Sequence, residues 1–540
     1  MISMRIGECA ACILALLHAG ALHAGIGEND IDRCQGRIIR NIDIVRKNVF
    51  DDQAEKSDFF VYQWANALHM VTKEKVIRRE LLFAAGDSLD AEKIIESQRN
   101  IRSLELIEDV EVNAIPVGAD SVDLEIVSSD LWTTKVSPMF ETGGGNYRFG
   151  FLFAEKNFMG NGQLVETTGQ AGTDQDGFSI LYRDRRVLGT RIATSLGYSG
   201  FTYDRRYLFQ VEKPRYALSV HSRYDAGYSR SEGTTRLFDR GDEYYRFRYE
   251  NDDVHAEVAY SFGERDRIDL IAAYDYAGRV YREDAADSAF RHLVPPDEAL
   301  SYPSLGAGVA HVRYGVERYL DEAGTPEDLT YGAAVRFMAG RSLKSLGADY
   351  ESWINTATMQ FLTKPFSRLI VGASDAVSWQ ERDGIGRRIH HTSEGFAYFK
   401  TGAAQVLAIH GLADFAWRER SSYQILLGGD NGLRGYRYFR LSGDRMVLAN
   451  IEYRFYVPVE ILSVRFGGAA FFDCGNVWRP GEKIDLAQMK SDFGIGLRLG
   501  LVKSSSSRIV SIDLAKSLTE KGYFVTVTSG LVFGLGAFGN

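Results

Sequence analysis

The sequence predicts a mainly β protein, a transmembrane antiparallel β-barrel of about sixteen strands that follows a small α/β domain. Segments of about ten residues that alternate apolar and polar side chains recur from residue 135 to residue 540, for example at 267–276 and 405–417. Aromatic residues make up 12% of the chain, and 54 glycines outnumber 10 prolines. The mean hydropathy of −0.20 argues against a helical membrane protein, but not against strands whose alternate side chains face lipid.

Residues 1–24 have the pattern of a secretory signal peptide. Arg5 precedes an apolar run from Ala10 to Leu17, and small residues offer cleavage sites after Ala21 and Ala24. A membrane-spanning helix needs roughly 20 apolar residues, and two histidines interrupt this run too early. We therefore expect a cleaved signal rather than an uncleaved anchor.

Residues 25–134 are predicted to form an α/β domain. Its expected elements are a strand at 37–49, helices at 59–70 and 91–104, and strands at 108–115 and 122–127. Asp90 stands at the N-cap position of the second helix. In the first strand, Ile38, Ile42 and Ile44 are expected on one face.

Residues 135–540 are predicted to form the barrel, with the charged stretches 229–242 and 282–297 as long outer loops. The first strand, about 135–145, and the closing strand, about 523–533, should pair less firmly than their neighbours. Proline cannot donate to a ladder and glycine has no side chain to pack. The residues that weaken this seam are Pro138, Gly143, Gly144, Gly145 and Gly530. Alternate residues of the closing strand, from Tyr523 to Phe533, are expected to face outward.

Residues 427–478 contain the main candidate site, a loop followed by two strands. Glycines and short polar residues at 428–432 place Arg434-Gly435-Tyr436 at a tight tip. In the next strand the odd-numbered residues from 447 to 457 are apolar, while the opposite face carries Glu452. Because buried charge is tolerated only when it is paired, we expect Arg434 to bind Asp473 of the second strand, with Glu452 as a second partner or near neighbour.

These segments resemble the bacterial surface antigen superfamily of outer-membrane barrels. The resemblance is carried by Arg434-Gly435-Tyr436, by Glu452 in IEYRF, by Asp473 and Gly475 in FFDCGNVW, and by EKNFMGNG at 155–162. The run VIRRELLFAAGDSLDAEKIIESQRNIRSLELIEDVEV is similar to the second half of a POTRA domain, the periplasmic module of that family. The resemblance implies one POTRA domain at 25–134, a barrel of sixteen strands at 135–540, and an arginine loop folded into the lumen against acidic partners.

The function that we expect is insertion or translocation of proteins in the bacterial outer membrane, with the POTRA-like domain in the periplasm. The expected partners are outer-membrane lipid, unfolded β-barrel or secreted clients that bind the POTRA-like domain and the seam, and accessory periplasmic proteins. We expect no cofactor, no metal and no enzymatic activity, and the net charge of −9 offers no basic surface for nucleic acid. Two alternatives stay open. A passive or regulated pore needs no labile seam, and an outer-membrane hydrolase needs a catalytic constellation.

Overall fold

The computed structural model describes residues 30–51, 63, 66–67, 69–143, 146–172, 175–283, 288–461, 463–503, 509–529, 531 and 533–534. The expected signal peptide at 1–24 lies outside these residues, as do Gly144, Gly145, Gly530 and most of the expected helix at 59–70. Within the described part of the chain, no helix is both long and apolar enough to cross a bilayer.

An N-terminal unit of helices and a three-stranded sheet comes first. Its elements are α1 (Asp30–Arg33), β1 (Ile38–Lys47), α2 (Glu74–Arg78), α3 (Ala91–Arg102), β2 (Ile107–Val117) and β3 (Ser121–Asp130). The strand order is β1-β3-β2, with β1 parallel and β2 antiparallel to the central strand β3. The side chain of Asp90 accepts a hydrogen bond from the Glu92 N–H, so the predicted N-cap of α3 is confirmed.

The core of this unit lies between α3 and one face of the sheet. Ile94 and Ile101, two turns apart on α3, are buried against alternate residues of the central strand, among them Leu124. The predicted inward face of β1 is wrong in part. A register shift between Ile39 and Asn41 buries Ile39 and turns Ile38 outward.

Twenty further strands form one antiparallel sheet, in which each strand pairs with its neighbours and the last lies beside the first. They are β4 (Thr134–Gly143), β5 (Asn146–Glu155), β6 (Gln163–Gly172), β7 (Gly177–Asp184), β8 (Ala193–Phe201), β9 (Asp204–Lys213), β10 (Ser222–Asp239), β11 (Asp242–Phe262), β12 (Asp266–Glu283), β13 (Glu298–Glu317), β14 (Glu327–Ser342), β15 (Ser352–Phe366), β16 (Leu369–Arg382), β17 (Ile385–Gly402), β18 (Gln405–Trp417), β21 (Arg445–Ile461), β22 (Val464–Trp478), β23 (Lys490–Leu501), β24 (Ile509–Ser517) and β25 (Phe524–Ser529). Two short strands, β19 (Ile425–Leu427) and β20 (Leu441–Gly443), pair with each other between β18 and β21.

The sheet has more strands than the sixteen that we expected. The six strands β4 to β9 have only eight to ten residues each and are joined by short turns, so they fit into residues 134–213. The stretch 229–242, predicted as an outer loop, is instead the paired end of β10 and β11. Opposite charges pair across the two strands, as Arg230 does with Asp252 and Arg236 with Glu243, and the ladder continues through them.

The N-terminal unit lies at one end of the sheet, which we call the domain end. There the Leu218 N–H, between β9 and β10, donates to Glu96 at 3.1 Å, and Arg102 of α3 binds Asp328 at the start of β14 at 2.8 Å. Lys503, after β23, binds Glu108 of β2. The opposite, outer end therefore holds the β10–β11 turn, the loop at 418–444 and the β24–β25 turn.

Candidate functional site: a luminal charge cluster

The loop between β18 and β21 carries the predicted tip into the interior of the sheet. Arg434 is fully buried, and Leu433 and Tyr436 are buried beside it. Gly432 has a φ of +128°, a backbone conformation that other residues rarely adopt. At Gly435 the requirement is space, because a Cβ atom there would lie 2.5 Å from the Cβ of Asp492 on β23. The tip therefore approaches the wall at a distance that only glycine permits.

Arg434 binds three carboxylates from three strands. Its Nε and Nη2 donate to the two carboxylate oxygens of Asp473, on β22, at 2.8 and 2.9 Å. Its Nη1 donates to Glu452 of β21 at 2.9 Å and to Asp513 of β24 at 3.0 Å. The guanidinium carbon also lies 3.4 Å from the centre of the Phe471 ring. The structure thus brings together the three residues that the sequence predicted and adds Asp513.

Two further arginines complete the group, and sequence reasoning did not assign them as partners. Arg498 of β23 donates to Glu452 at 3.0 Å and also binds Asp513. Arg454 donates to the same Glu452 at 3.0 Å. We call these three arginines and three carboxylates the luminal charge cluster: Arg434, Glu452, Arg454, Asp473, Arg498 and Asp513.

The strand pattern explains how the cluster is assembled. On β21 the even-numbered residues from 446 to 456 are buried and Ile451 and Phe455 are exposed, so the predicted assignment of the two faces is confirmed. Arg498 and Asp513 are also buried, facing the interior from β23 and β24. The alternation of inward and outward residues along each strand is the sequence signal that could have identified them as inward-facing. Their contact with Glu452 depends on strand register.

The three arginines and three carboxylates of the cluster carry equal and opposite charge, and this balance keeps Arg434 protonated. Burial disfavours its positive charge, but the hydrogen bonds that it donates to Asp473 and the negative charges of Asp473, Glu452 and Asp513 outweigh that effect. The pKa of Arg434 is therefore held above its usual value, and the side chain is a permanent cation.

Tyr436 and Gly475 support the tip from two sides. The Tyr436 hydroxyl lies 2.9 Å from the Thr519 hydroxyl and donates to the Ser491 carbonyl at 3.1 Å. A Cβ atom at Gly475 would lie 3.1 Å from Leu427 at the base of the loop, so the glycine leaves room for that side chain.

Residues 392–538 match the Omp85 superfamily domain, and this range contains every member of the luminal charge cluster. The C-terminal part of the chain is an Omp85 domain. The match confirms the resemblance drawn from the motifs around Arg434, Glu452 and Asp473, and it places the protein among the bacterial outer-membrane β-barrels.

Several solved structures are similar in overall architecture. CdiB from Acinetobacter baumannii is 10% identical, with a TM-score of 0.44 over 98% of this chain and 99% of that one. CdiB from Escherichia coli is 13% identical, with a TM-score of 0.42 over 97% and 83% of the two chains. BamA from Haemophilus ducreyi, lacking POTRA domains 1–3, is 13% identical, with a TM-score of 0.36 over 91% and 84%. All three TM-scores lie below 0.5, and these likenesses carry no functional conclusion. A search of curated proteins found no match.

The predicted seam lies where the Omp85 domain meets the first strand of the sheet. Pro138 stands opposite Phe151 and Gly143 opposite Asn146 in the β4–β5 ladder. The last strand, β25, has only six residues. The outward orientation predicted for Phe533 is wrong. Its side chain is buried, its ring lies 5.1 Å from that of His410, and its carbonyl accepts a hydrogen bond from Arg454 at 3.1 Å. Beyond β25 the chain turns inward, because Arg454 and His410 offer Phe533 an interior site.

A second buried group joins the twenty-stranded sheet to the N-terminal unit. Asn157, from the EKNFMGNG segment, donates through its side-chain amide to the Thr72 hydroxyl at 2.9 Å and to the Met70 carbonyl at 3.1 Å. Its side-chain oxygen, Oδ1, accepts from the Gly162 N–H at 2.9 Å. Asp130 accepts from the Thr72 N–H at 2.7 Å and from its hydroxyl at 2.9 Å. We call Asn157, Thr72 and Asp130 the domain junction. Burial raises the pKa of Asp130 to about 6.

The geometry around His391 argues against the hydrolase alternative. Ser393 and Asp375 both contact the same nitrogen of His391, Nε2, at 3.1 and 2.8 Å. In a catalytic triad the acid and the nucleophile bind opposite nitrogens of the imidazole. The neighbouring His390 binds Glu419, so the two adjacent histidines have separate partners.

Proposed function

We propose that this protein inserts proteins into the bacterial outer membrane, or translocates them across it, through a closed barrel with a seam that opens. In this proposal residues 25–134 form a POTRA domain, the barrel spans 135–540, and the Arg434-Gly435-Tyr436 loop holds one side of the seam. The observation that carries it is the triple attachment of Arg434, which ties the loop to β21, β22 and β24.

The position of the last strand that Arg434 binds supports a seam beyond that strand. Asp513, the most C-terminal carboxylate in the cluster, lies on β24, one strand before the end of the sheet. Only the six residues of β25 follow, whereas β22, one of the strands that Arg434 binds, has fifteen. A short strand contributes few ladder hydrogen bonds. Separation of β25 from β4 should therefore cost less free energy than separation between the strands that the luminal charge cluster joins, β21 to β24.

The N-terminal unit supports the same role. After the short helix α1, its described elements run strand, helix, helix, strand, strand, in line with the order that the POTRA resemblance implies. The first of those two helices is α2, at Glu74–Arg78, and most of the helix predicted at 59–70 lies outside the described residues. Strands β1 and β2 each pair along one side with β3 and form the two edges of the described sheet. An extended client segment can add to such an edge by main-chain hydrogen bonds and then pass to the opened seam.

A disulfide lock across the seam tests the proposal. In a background with Cys34 replaced, single cysteines at positions 134–139 would be paired with single cysteines at 524–529, and the oxidised variants would replace the native protein in host cells. The matched control is Ala449→Cys, which lies directly opposite the native Cys474 in the β21–β22 ladder. Its disulfide locks two strands that Arg434 already holds together. Cys474 would be replaced in the seam variants only.

The readout is the set of proteins that reach the outer membrane or the medium. We expect the oxidised seam variants to lose client insertion or secretion and to regain it on reduction, while oxidised Ala449→Cys retains it. If a fully oxidised seam variant works as well as its reduced form, the opening seam is wrong and a central pore becomes the better account.

A further inference from the structure

A concave site lined by basic residues lies at the outer end of the barrel, apart from the luminal charge cluster. The cavity measures about 440 Å³ and is lined by Arg240, Arg437, Arg440, Glu520, Lys521 and Phe524. We call it the outer cleft. Three separate segments build it: the β10–β11 turn, the loop just beyond Tyr436, and the β24–β25 turn.

Specific contacts hold these segments together. The rings of Phe238, beside the β10–β11 turn, and Phe439, in the loop, lie 4.8 Å apart. The Gln424 side chain donates to the Phe238 carbonyl at 3.0 Å and accepts from its N–H at 2.9 Å. Arg440 of the loop binds Glu520 of the β24–β25 turn at 2.5 Å. The cleft is therefore a built feature of the fold rather than a gap between loops.

The charges that line the outer cleft do not balance. Glu520 is its one acidic residue, and Arg440 already binds it. Arg240, Arg437 and Lys521 are exposed, and none has a carboxylate partner among the residues that the structure describes. Arg479, at the same end but outside the cleft, is by contrast paired with Asp239. Three unneutralised cations around one cavity repel each other, and a bound anion would relieve that repulsion.

We propose that the outer cleft binds a phosphorylated organic anion. A phosphate monoester carries about −1.5 to −2 charges at neutral pH, which suits several cations better than a single carboxylate does. The two free arginines offer planar forks that match phosphate oxygens, and Lys521 adds a mobile point charge. The volume falls within the range of small-molecule sites, about 300–1,000 Å³, and is larger than a bare phosphate needs. Phe524 supplies an apolar wall for the organic part.

Two sources share this chemistry, the phosphorylated headgroup of an outer-leaflet glycolipid and a soluble phosphate ester. An acidic peptide fits less well, because strand addition uses a free backbone edge and apolar side-chain pockets. The walls of the cleft are charged side chains instead. The proposal does not depend on protein insertion or translocation being the function.

The test uses the full-length protein in a neutral detergent with two probes. Calorimetry with glucose 1,6-bisphosphate examines the soluble source. Native mass spectrometry with diphosphorylated lipid A, and with the same lipid stripped of its phosphates, examines the glycolipid source. The cleft variant combines Arg240→Gln, Arg437→Gln and Lys521→Gln. The control combines Lys344→Gln, Arg387→Gln and Lys483→Gln, which removes three exposed cations of the outer end that do not line the cleft.

We expect saturable binding of at least one phosphorylated probe, weakened about tenfold or more in the cleft variant and less than about twofold in the control. Binding of the bisphosphate alone identifies a soluble ester, and binding of phosphorylated lipid A alone identifies the headgroup. Equal weakening in both variants, equal binding of the dephosphorylated lipid, or no saturable binding of either probe overturns the proposal. Unchanged migration of unboiled samples on a denaturing gel shows that both variants remain folded.

Discussion

The luminal charge cluster and the domain junction both hold a turn of the chain in a buried position, but they differ in the number and pairing of their charged groups. In the cluster three arginines meet three carboxylates, and Arg434 alone makes four hydrogen bonds to them. In the junction the partners are an amide, a hydroxyl and backbone groups around the single carboxylate of Asp130. In the cluster each buried charge has an opposite charge beside it, whereas the buried carboxylate of Asp130 makes the junction sensitive to pH.

The difference suggests distinct roles. The cluster ties the loop to strands that the seam proposal requires to stay together. The junction connects the two units alongside ion pairs such as Arg102–Asp328, and its own contribution changes with the protonation of Asp130. The predictions below test this contrast, beginning with the largest expected effect.

Arg434→Ala should be the most damaging substitution. It leaves Glu452, Asp473 and Asp513 with less positive charge in a buried place, and removing one member of a buried charged group typically costs about 3–5 kcal/mol. We expect rapid amide hydrogen exchange in the loop at 425–443, while the unboiled protein still migrates as a folded barrel. Arg437→Ala removes an exposed arginine of the same loop and should leave exchange unchanged. Equal exchange in the two variants would contradict the role of the cluster.

The residues of the cluster show how far the sequence could predict the site. Arg434, Glu452 and Asp473 lie within 40 residues, in motifs that the family resemblance covers, and strand alternation fixes which way the acids face. Arg498 and Asp513 belong to later strands, and their positions beside Glu452 depend on the register between β21 and β24. Register over several strands is a property of the folded sheet and leaves no local pattern.

The same limit applies to the rest of the fold. The two-face pattern of β21 and the cap at Asp90 are local signals, and both are confirmed. The strand count was underestimated because a fixed allowance per strand ignored the short turns between β4 and β9. The inward turn of Phe533 was missed because its partners, His410 and Arg454, are more than 70 residues away in the sequence.

Asp130→Asn should remove a pH dependence from the domain junction. Burial raises the pKa of Asp130 from 3.8 to about 6, so the folded unit holds this proton more tightly than the unfolded chain does. The stability it contributes is therefore complete below about pH 4 and is lost as the pH rises through about 6, by up to about 3 kcal/mol. The asparagine variant has no such loss.

The measurement is urea unfolding of the N-terminal unit in the full-length protein, followed by its helical circular dichroism at several pH values. His69 lies 4.0 Å from Asp130, and burial lowers its pKa, so its own titration acts in the opposite direction. Subtracting the curve of the variant from that of the native protein leaves the contribution of Asp130 together with its coupling to His69. A flat difference between about pH 4 and pH 7 would show that Asp130 is not the sensitive group.

Asn157→Ala should weaken the junction at every pH. The substitution removes hydrogen bonds to the Thr72 hydroxyl, the Met70 carbonyl and the Gly162 N–H in a buried place, which costs about 1–3 kcal/mol. Hydrogen exchange should rise at Gly162, whose N–H then lacks its acceptor. Asn161→Ala, in the same turn, is the matched control, because Asn161 binds only the exposed Lys73. A similar loss in both variants would mean that the turn as a whole, and not Asn157, makes the connection.

Arg265→Gln should have the smallest effect, although it also breaks a contact between the two units. Arg265 binds Glu92 at 2.8 Å, but the two side chains are 50% and 65% exposed, so water screens the pair. Exposed ion pairs contribute about 0–1 kcal/mol, and that amount shrinks further as salt is added. Arg102→Gln is the informative partner variant, because the Arg102–Asp328 pair has two hydrogen bonds of 2.8 Å and is mostly buried. In the urea titrations we expect a clear shift for Arg102→Gln and almost none for Arg265→Gln in high salt. If Arg265→Gln matched Asn157→Ala, surface charge rather than the buried junction would be holding the N-terminal unit against the barrel.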